Sequence, residues 1–97
     1  MATYVTLLNY TDQGIRNVKD TTKRFEAVKD LAKKAGVTFK DIYWTLGPYD
    51  SVAIVEAPNE EAVTSVLLSA GSLGNVRTQT LRAFSAEEMS RILSKVS

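Results

Sequence analysis

Residues 43–57 read Tyr43-Trp44-Thr45-Leu46-Gly47-Pro48-Tyr49-Asp50-Ser51-Val52-Ala53-Ile54-Val55-Glu56-Ala57, YWTLGPYDSVAIVEA. Two β-rich runs flank a short polar turn, the mark of an antiparallel hairpin. Pro48 presets a turn corner and Gly47 accepts backbone angles that other residues resist. Those two suffice for the bend, so Tyr49 and Asp50 need another reason. An aspartate at a hairpin end can accept the backbone N–H groups of the turn. The functional alternative is an acid facing a ligand, with Tyr49 as a phenolic donor beside it.

Strand two is expected over Val37–Leu46 and strand three over Val52–Ala57. A tight turn at Gly47–Asp50 would set Tyr43 across from Ile54, Asp41 across from Glu56, Trp44 across from Ala53 and Ile42 across from Val55. Period-two alternation then gathers Ile42, Trp44, Leu46, Ala53, Val55 and Ala57 on one apolar face. That face is expected to meet helices. The opposite face, with Asp41, Tyr43, Val52, Ile54 and Glu56, is mixed, as in a wet cavity or a subunit contact.

Outward from the hairpin the pattern alternates. Ala2–Asn9 is β-rich with apolar side chains on both faces, as in a central strand. Thr11–Gly14 is a turn signal. Asp20 or Thr21 can cap a helix in which Phe25, Val28, Leu31, Ala32 and Ala35 recur at helical spacing, with Gly36 ending it. Asn59 caps a second helix striped by Ala62, Val63, Val66, Leu67 and Ala70. Gly71-Ser72-Leu73-Gly74 breaks that helix and reads as a connection better than as an anion cradle. Asn75–Phe84 is a fourth strand, and Ser85 with Glu88 has the spacing of a capping box before a short terminal helix. The order β-α-β-β-α-β-α predicts one α+β domain over residues 1–97. It has the ferredoxin-like βαββαβ pattern, an antiparallel sheet of order 4-1-3-2 with both long helices on one face.

Composition narrows the chemistry. The chain has 97 residues, 44% hydrophobic and 24% charged, with no Cys and no His. Thiol nucleophiles, Cys/His zinc sites and the usual neutral-pH general base are absent, so no metal site and no cofactor are expected. The net charge of +1 and the interleaving of Lys19, Lys23, Arg24, Lys29, Lys33 and Lys34 with Glu26 and Asp30 argue against nucleic acid. No apolar run reaches the ~18 residues of a membrane span, and no signal peptide is read at the start, so a cytoplasmic setting is expected. A chain this short buries about 60–65% of its unfolded surface, which favours a homo-oligomer.

The hairpin Gly47-x-Tyr49-Asp50, its flanks YWTLG and VAIVEAP, the early DQGIRNVKD and the late GSLGNVRTQTLRAF resemble the GYD domain family of small bacterial and archaeal proteins. By fold the resemblance implies a dimeric α/β barrel, in which two ferredoxin-like sheets pack face to face. That group spans cofactor-free monooxygenases, lactone isomerases, haem-dependent enzymes and non-catalytic sensors.

The candidate ligand-binding residues are Tyr43, Tyr49, Asp50, Glu56, Arg77 and Arg82. Asp41 and Glu56, as cross-strand neighbours, could raise one pKa and form a proton-transfer pair, or be neutralised by Arg77. Arg82 is expected toward Asp50. Trp44 reads as core or as an aromatic ligand wall. The expected function is a small-molecule binding or sensor module. The alternatives are a cofactor-independent enzyme of the dimeric barrel kind and a structural assembly protein.

Overall fold

A computed structural model describes all of residues 1–97. Its elements are β1 (Ala2–Tyr10), α1 (Asp12–Arg16), a 3-10 turn (Val18–Asp20), α2 (Thr21–Lys34), β2 (Thr38–Trp44), β3 (Ser51–Ala57), α3 (Glu60–Ser72), β4 (Val76–Ala83) and α4 (Ala86–Leu93). The sheet runs β2-β3-β1-β4 with every neighbouring pair antiparallel. This is the expected 4-1-3-2 order read from the other edge. The fold is α+β and ferredoxin-like. No helix is long and apolar enough to cross a membrane.

Strand β3 shows why the sheet has one covered side. Ser51, Ala53, Val55 and Ala57 are buried, and Val52, Ile54 and Glu56 between them are half-buried. The buried set meets Tyr4 of β1, Phe39 of β2, Ala32 of α2, and Val63 and Val66 of α3. This is the core, and it is thin: 13 of 97 residues are buried. On β1, Tyr4 and Thr6 point into it, while Val5 and Leu7 point to the helix-free side and stay half-buried.

The hairpin register differs from the expected one. Tyr43 pairs with Val52 and Trp44 with Ser51, two residues short of the expected Ile54 and Ala53. The cause is a turn centred one residue earlier than expected, closed where Thr45 N donates to Asp50 O at 2.9 Å. A slip of two preserves parity, so each residue keeps its face. Ile42 and Trp44 do turn to the helices, whereas Leu46 falls in the loop and is fully exposed. A bulge between Phe39 and Asp41 then rephases the strand, so that Phe39 also faces the core. As a result Asp41 lies opposite Ile54 and Glu56 opposite Thr38. The expected Asp41–Glu56 carboxylate pair does not form. Glu56 instead meets Lys40, Nζ to Oε1 at 3.5 Å.

Caps follow the sequence at most helix ends. Asn59 accepts from Ala62 N at 2.9 Å, and Ser85 and Glu88 form the full capping box. Gly36, after α2, has φ +76°. Asp20 makes no side-chain cap. The expected turn at Thr11–Gly14 is the start of α1, because Thr11 Oγ1 accepts from Gly14 N at 3.0 Å. This short helix is latched to the connection before β4. Thr11 Oγ1 donates to Gly74 O at 2.5 Å, and Gln13 Nε2 donates to Leu73 O at 3.0 Å. Gly71 and Ser72 still belong to α3, later than the expected break, and with Leu73 N and Gly74 N bonded to Ala70 O and Gly71 O the Leu73–Asn75 stretch is a connection, not an anion cradle.

Gly14 makes the latch possible. A Cβ there would lie 1.9 Å from Asn75 O, inside any van der Waals contact and against backbone that cannot swing away. Gly14→Ala should therefore destabilise the fold by about 1–3 kcal/mol, the range for overpacking, as read from urea unfolding. A variant as stable as the parent would show that α1 floats free of β4.

Candidate functional site

The Gly47–Asp50 loop is fastened mostly to its own sheet. Asp50 N donates to Leu8 O at 2.9 Å, and Asp50 Oδ2 accepts from Tyr10 N at 2.8 Å. The last rung between β1 and β3 is Leu8 with Ser51. Tyr10 N lies beyond it, so the carboxylate supplies the acceptor that β3 no longer can. Asn9 Nδ2 donates to Pro48 O at 3.1 Å, and Thr45 Oγ1 to Tyr49 O at 2.6 Å. Gly47, at φ +102°, takes a conformation that side chains resist.

Tyr49 reaches the other way. Its hydroxyl donates to Gln79 Oε1 of β4 at 3.3 Å, spanning β1 on the helix-free side. That side carries Val5, Leu7, Val52 and Ile54 at its centre and Leu81, 54% exposed, toward the β4 edge. Tyr43 and Arg77 border this strip at the loop end and Glu56 at the far end. Tyr43 and Glu56 are four rungs apart along β3, about 13 Å at 3.4 Å per residue, so they share a face but no pocket.

The two arginines sit at opposite ends from those expected. Antiparallel pairing brings the start of β4 to the end of β1, and the end of β1 to the start of β3. Arg77 therefore pairs with Asn9 beside the Asp50 loop, away from Glu56. Arg82 pairs with Tyr4 at the far end, away from Asp50, and on the helix side. Its guanidinium lies 5.6 Å from the Tyr4 ring centre and 4.6 Å from that of Phe84, with Nη2 3.7 Å from Glu88 Oε2. Tyr4 is only 2% exposed; its burial, and secondly the Glu60 carboxylate, hold its phenol above the ordinary range. The Ser85 backbone N–H holds Glu88 below the usual carboxylate range, helped by the Ser85 hydroxyl and the charges of Arg82 and Arg91.

The apolar cleft of the molecule lies on the helix side. A cleft of about 70 Å³ opens between α2, α3 and the sheet, floored by Ala53 and Ala70. Its walls are aromatic: Phe25 meets Phe39 edge-on at 5.6 Å and Trp44 at 6.1 Å. Trp44 is 42% exposed at the mouth, a wall more than a core residue. Thr21 Oγ1 joins two rings, accepting from Trp44 Nε1 at 3.2 Å and bonding Tyr10 OH at 2.9 Å. Arg24 at the rim is held by Asn17 O at 2.6 Å and Gly14 O at 3.4 Å. Sequence reasoning reaches Trp44 but not Tyr10, Thr21 or Arg24. The available signal is that Thr21, Phe25 and Val28 fall on one face of α2, a stripe that reads as core alone. No three Asp or Glu residues gather into a metal-holding group.

Residues 4–93 match the family model described as the GYD domain. A protein of Thermus thermophilus named "Glutamine synthetase and cystathionine beta-lyase binding protein" is 33% identical over 90 residues, 92% of this chain and 95% of that protein. A crystal structure of a Thermus thermophilus protein superposes with a TM-score of 0.57 at 28% identity. The match covers 89% of this chain and 96% of that one.

Substitution separates the roles of the two loop residues. Asp50→Asn retains an acceptor for Tyr10 N and should cost about 1 kcal/mol or less, whereas Asp50→Ala orphans that N–H and should cost about 1–3 kcal/mol. Tyr49→Phe should change stability by no more than about 0.5 kcal/mol. Equal unfolding midpoints for Asp50→Ala and the parent would remove the latch.

Proposed function

The chain belongs to the GYD domain family, and from that premise we propose that it is a self-associating binding module whose cleft beneath α2 and α3 takes a small apolar ligand. The observation that carries this reading is the cleft itself. Phe25, Phe39 and Trp44 wall a space of about 70 Å³ in a chain with little core to spare. A ligand that fills this space takes the exposed ring and aliphatic surface out of water.

The polar groups around the cleft favour binding over catalysis. Tyr10, Thr21 and Trp44 spend their hydrogen bonds on one another, and Arg24 spends its own on backbone carbonyls. Such groups shape a pocket, and no Asp, Glu or His is among the residues that line it. The Thermus relative's printed name describes a protein that binds two enzymes. A binding role carried over to this chain is in keeping with that name, and a protein partner is the second reading it favours.

Self-association rests on the other face of the sheet. Val5, Leu7, Val52, Ile54 and Leu81 form one apolar strip with no helix over it, and monomers seldom leave such a strip in water. Tyr43, Tyr49, Arg77 and Glu56 then become its rim, where they meet the second copy or a ligand trapped between the sheets.

Trp44 is the single tryptophan of the chain, so its fluorescence reports on the cleft alone. Titration with isobutanol, toluene and isovalerate should give a saturable change for at least one compound, and Ala70→Leu, which fills the floor, should abolish it. Linear, unsaturable traces with all three, the same in Ala70→Leu, would rule the cleft out as a ligand site.

Light scattering should give twice the 10.7 kDa chain mass, falling to a folded monomer in Ile54→Lys. A clean 10.7 kDa species of the parent at about micromolar concentration would end the self-association reading.

A further inference from the structure

The terminal helix α4 presents a problem that its own chain does not solve. Met89, Ile92, Leu93 and Val96 recur at the spacing of one helical stripe. Ile92 is 36% and Leu93 55% exposed, and α4 buries no residue at all. An isolated helix of two turns is marginal in water even with a good cap. The capping box, with Ser85 N to Glu88 Oε1 at 3.0 Å and Glu88 N to Ser85 Oγ at 3.1 Å, organises the first turn only. The molecule is also longer than its length requires. Its radius of gyration is 14.6 Å with a longest extent of 51 Å, against about 12.5 Å for a compact chain of this size.

We infer that α4 is an exchanged arm, whose apolar stripe lies on a second copy of this chain and completes an interface that the helix-free sheet face begins. The inference rests on the sheet-face dimer proposed above. Area is what selects a second copy as the occupant. Four strands about 4.8 Å apart and seven residues long present a face of roughly 450 Å². A stable interface buries about 600–1,000 Å² on each partner, so the sheet face alone is too small. A two-turn helix about 12 Å long and 10 Å wide, given by each copy and received by each, adds roughly 240 Å² a side. Phe84, just past β4, and Met89, Ile92 and Leu93 of α4 are all exposed, so the arm carries apolar surface outward from the end of the sheet. Arg82 fixes the angle at which the arm leaves the sheet, stacked on Phe84 and 3.7 Å from Glu88.

The test is a dilution series of the full chain by analytical ultracentrifugation, run on the parent, on Ile92→Asp/Leu93→Asp, and on the polar-face control Glu87→Lys. The double variant should weaken the dimer at least about tenfold, and the control should stay within about twofold. Because α4 buries nothing in its own chain, circular dichroism should show the sheet intact in every case. Amide exchange in residues 86–93 of the parent should slow as concentration rises through the dimer midpoint, a readout that needs no variant. A parent dimer left unmoved by the double variant, or α4 exchange independent of concentration, overturns the arm and leaves the sheet-face dimer standing. A parent that stays monomeric overturns both.

Discussion

Strand β3 alternates residues that touch α2 and α3 with residues that no helix covers, and this one-sided burial sets the terms for the rest of the molecule. A helix is about 10 Å across and a four-stranded sheet nearly twice that, so α2 and α3 together cover one face and leave nothing for the other. On the covered side Ala53, Val55 and Ala57 are sealed beneath Val63 and Val66. On the uncovered side Val52 and Ile54 keep part of their surface in water. The small side chains of β3 let the helices come close at one end. At the other end Phe25 and Trp44 stand edge-on and wall the cleft.

The hairpin that opens the sequence problem has its answer in the same geometry. Strand β1 outruns β3 by two residues, so its last N–H toward β3 faces a loop where it needs a strand. Asp50 fills the gap with a carboxylate oxygen while its backbone N–H bonds Leu8 O. An aspartate is suited to this because a charged acceptor strengthens the bond and the short side chain reaches its neighbour strand without spanning solvent. Tyr49 is not needed for that closure. Its hydroxyl goes to Gln79, which makes it part of the uncovered face and places it among residues free to meet a partner. One residue of the pair holds the loop, and the other is displayed by it.

Much of the fold was legible because it depends on local chemistry. Asn59, Ser85, Glu88 and Gly36 act where their side chains or backbone preferences act in any helix. The strand order follows from element order together with the known pattern. Register was not legible, since parity alone distinguishes faces and a slip of two leaves parity intact. The slip separates Asp41 from Glu56, and the bulge at Lys40, whose mark is the polar pair Lys40-Asp41 between core-facing Phe39 and Ile42, brings Glu56 to Lys40. Arg77 and Arg82 exchanged ends because antiparallel pairing ties the start of β4 to the start of β3 through β1. The cleft was hidden for a different reason. It exists in the offset between α2 and the sheet, and that offset is set by ring packing across elements far apart in sequence.

The two open surfaces share a wall. Ser51 and Ala53 line the cleft on one side of β3, and Val52 and Ile54 face outward on the other. A strand cannot shift toward one neighbour without leaving the other, because interiors at close packing transmit displacement. Val52 and Ile54 alternate with Ser51 and Ala53 on one strand, so a displacement of either set is felt by the other. Linkage makes the effect reciprocal: whatever occupancy of the cleft contributes to association, association contributes to occupancy. The thin core strengthens this argument. With 13 buried residues, few packed side chains stand between the two sides of the sheet.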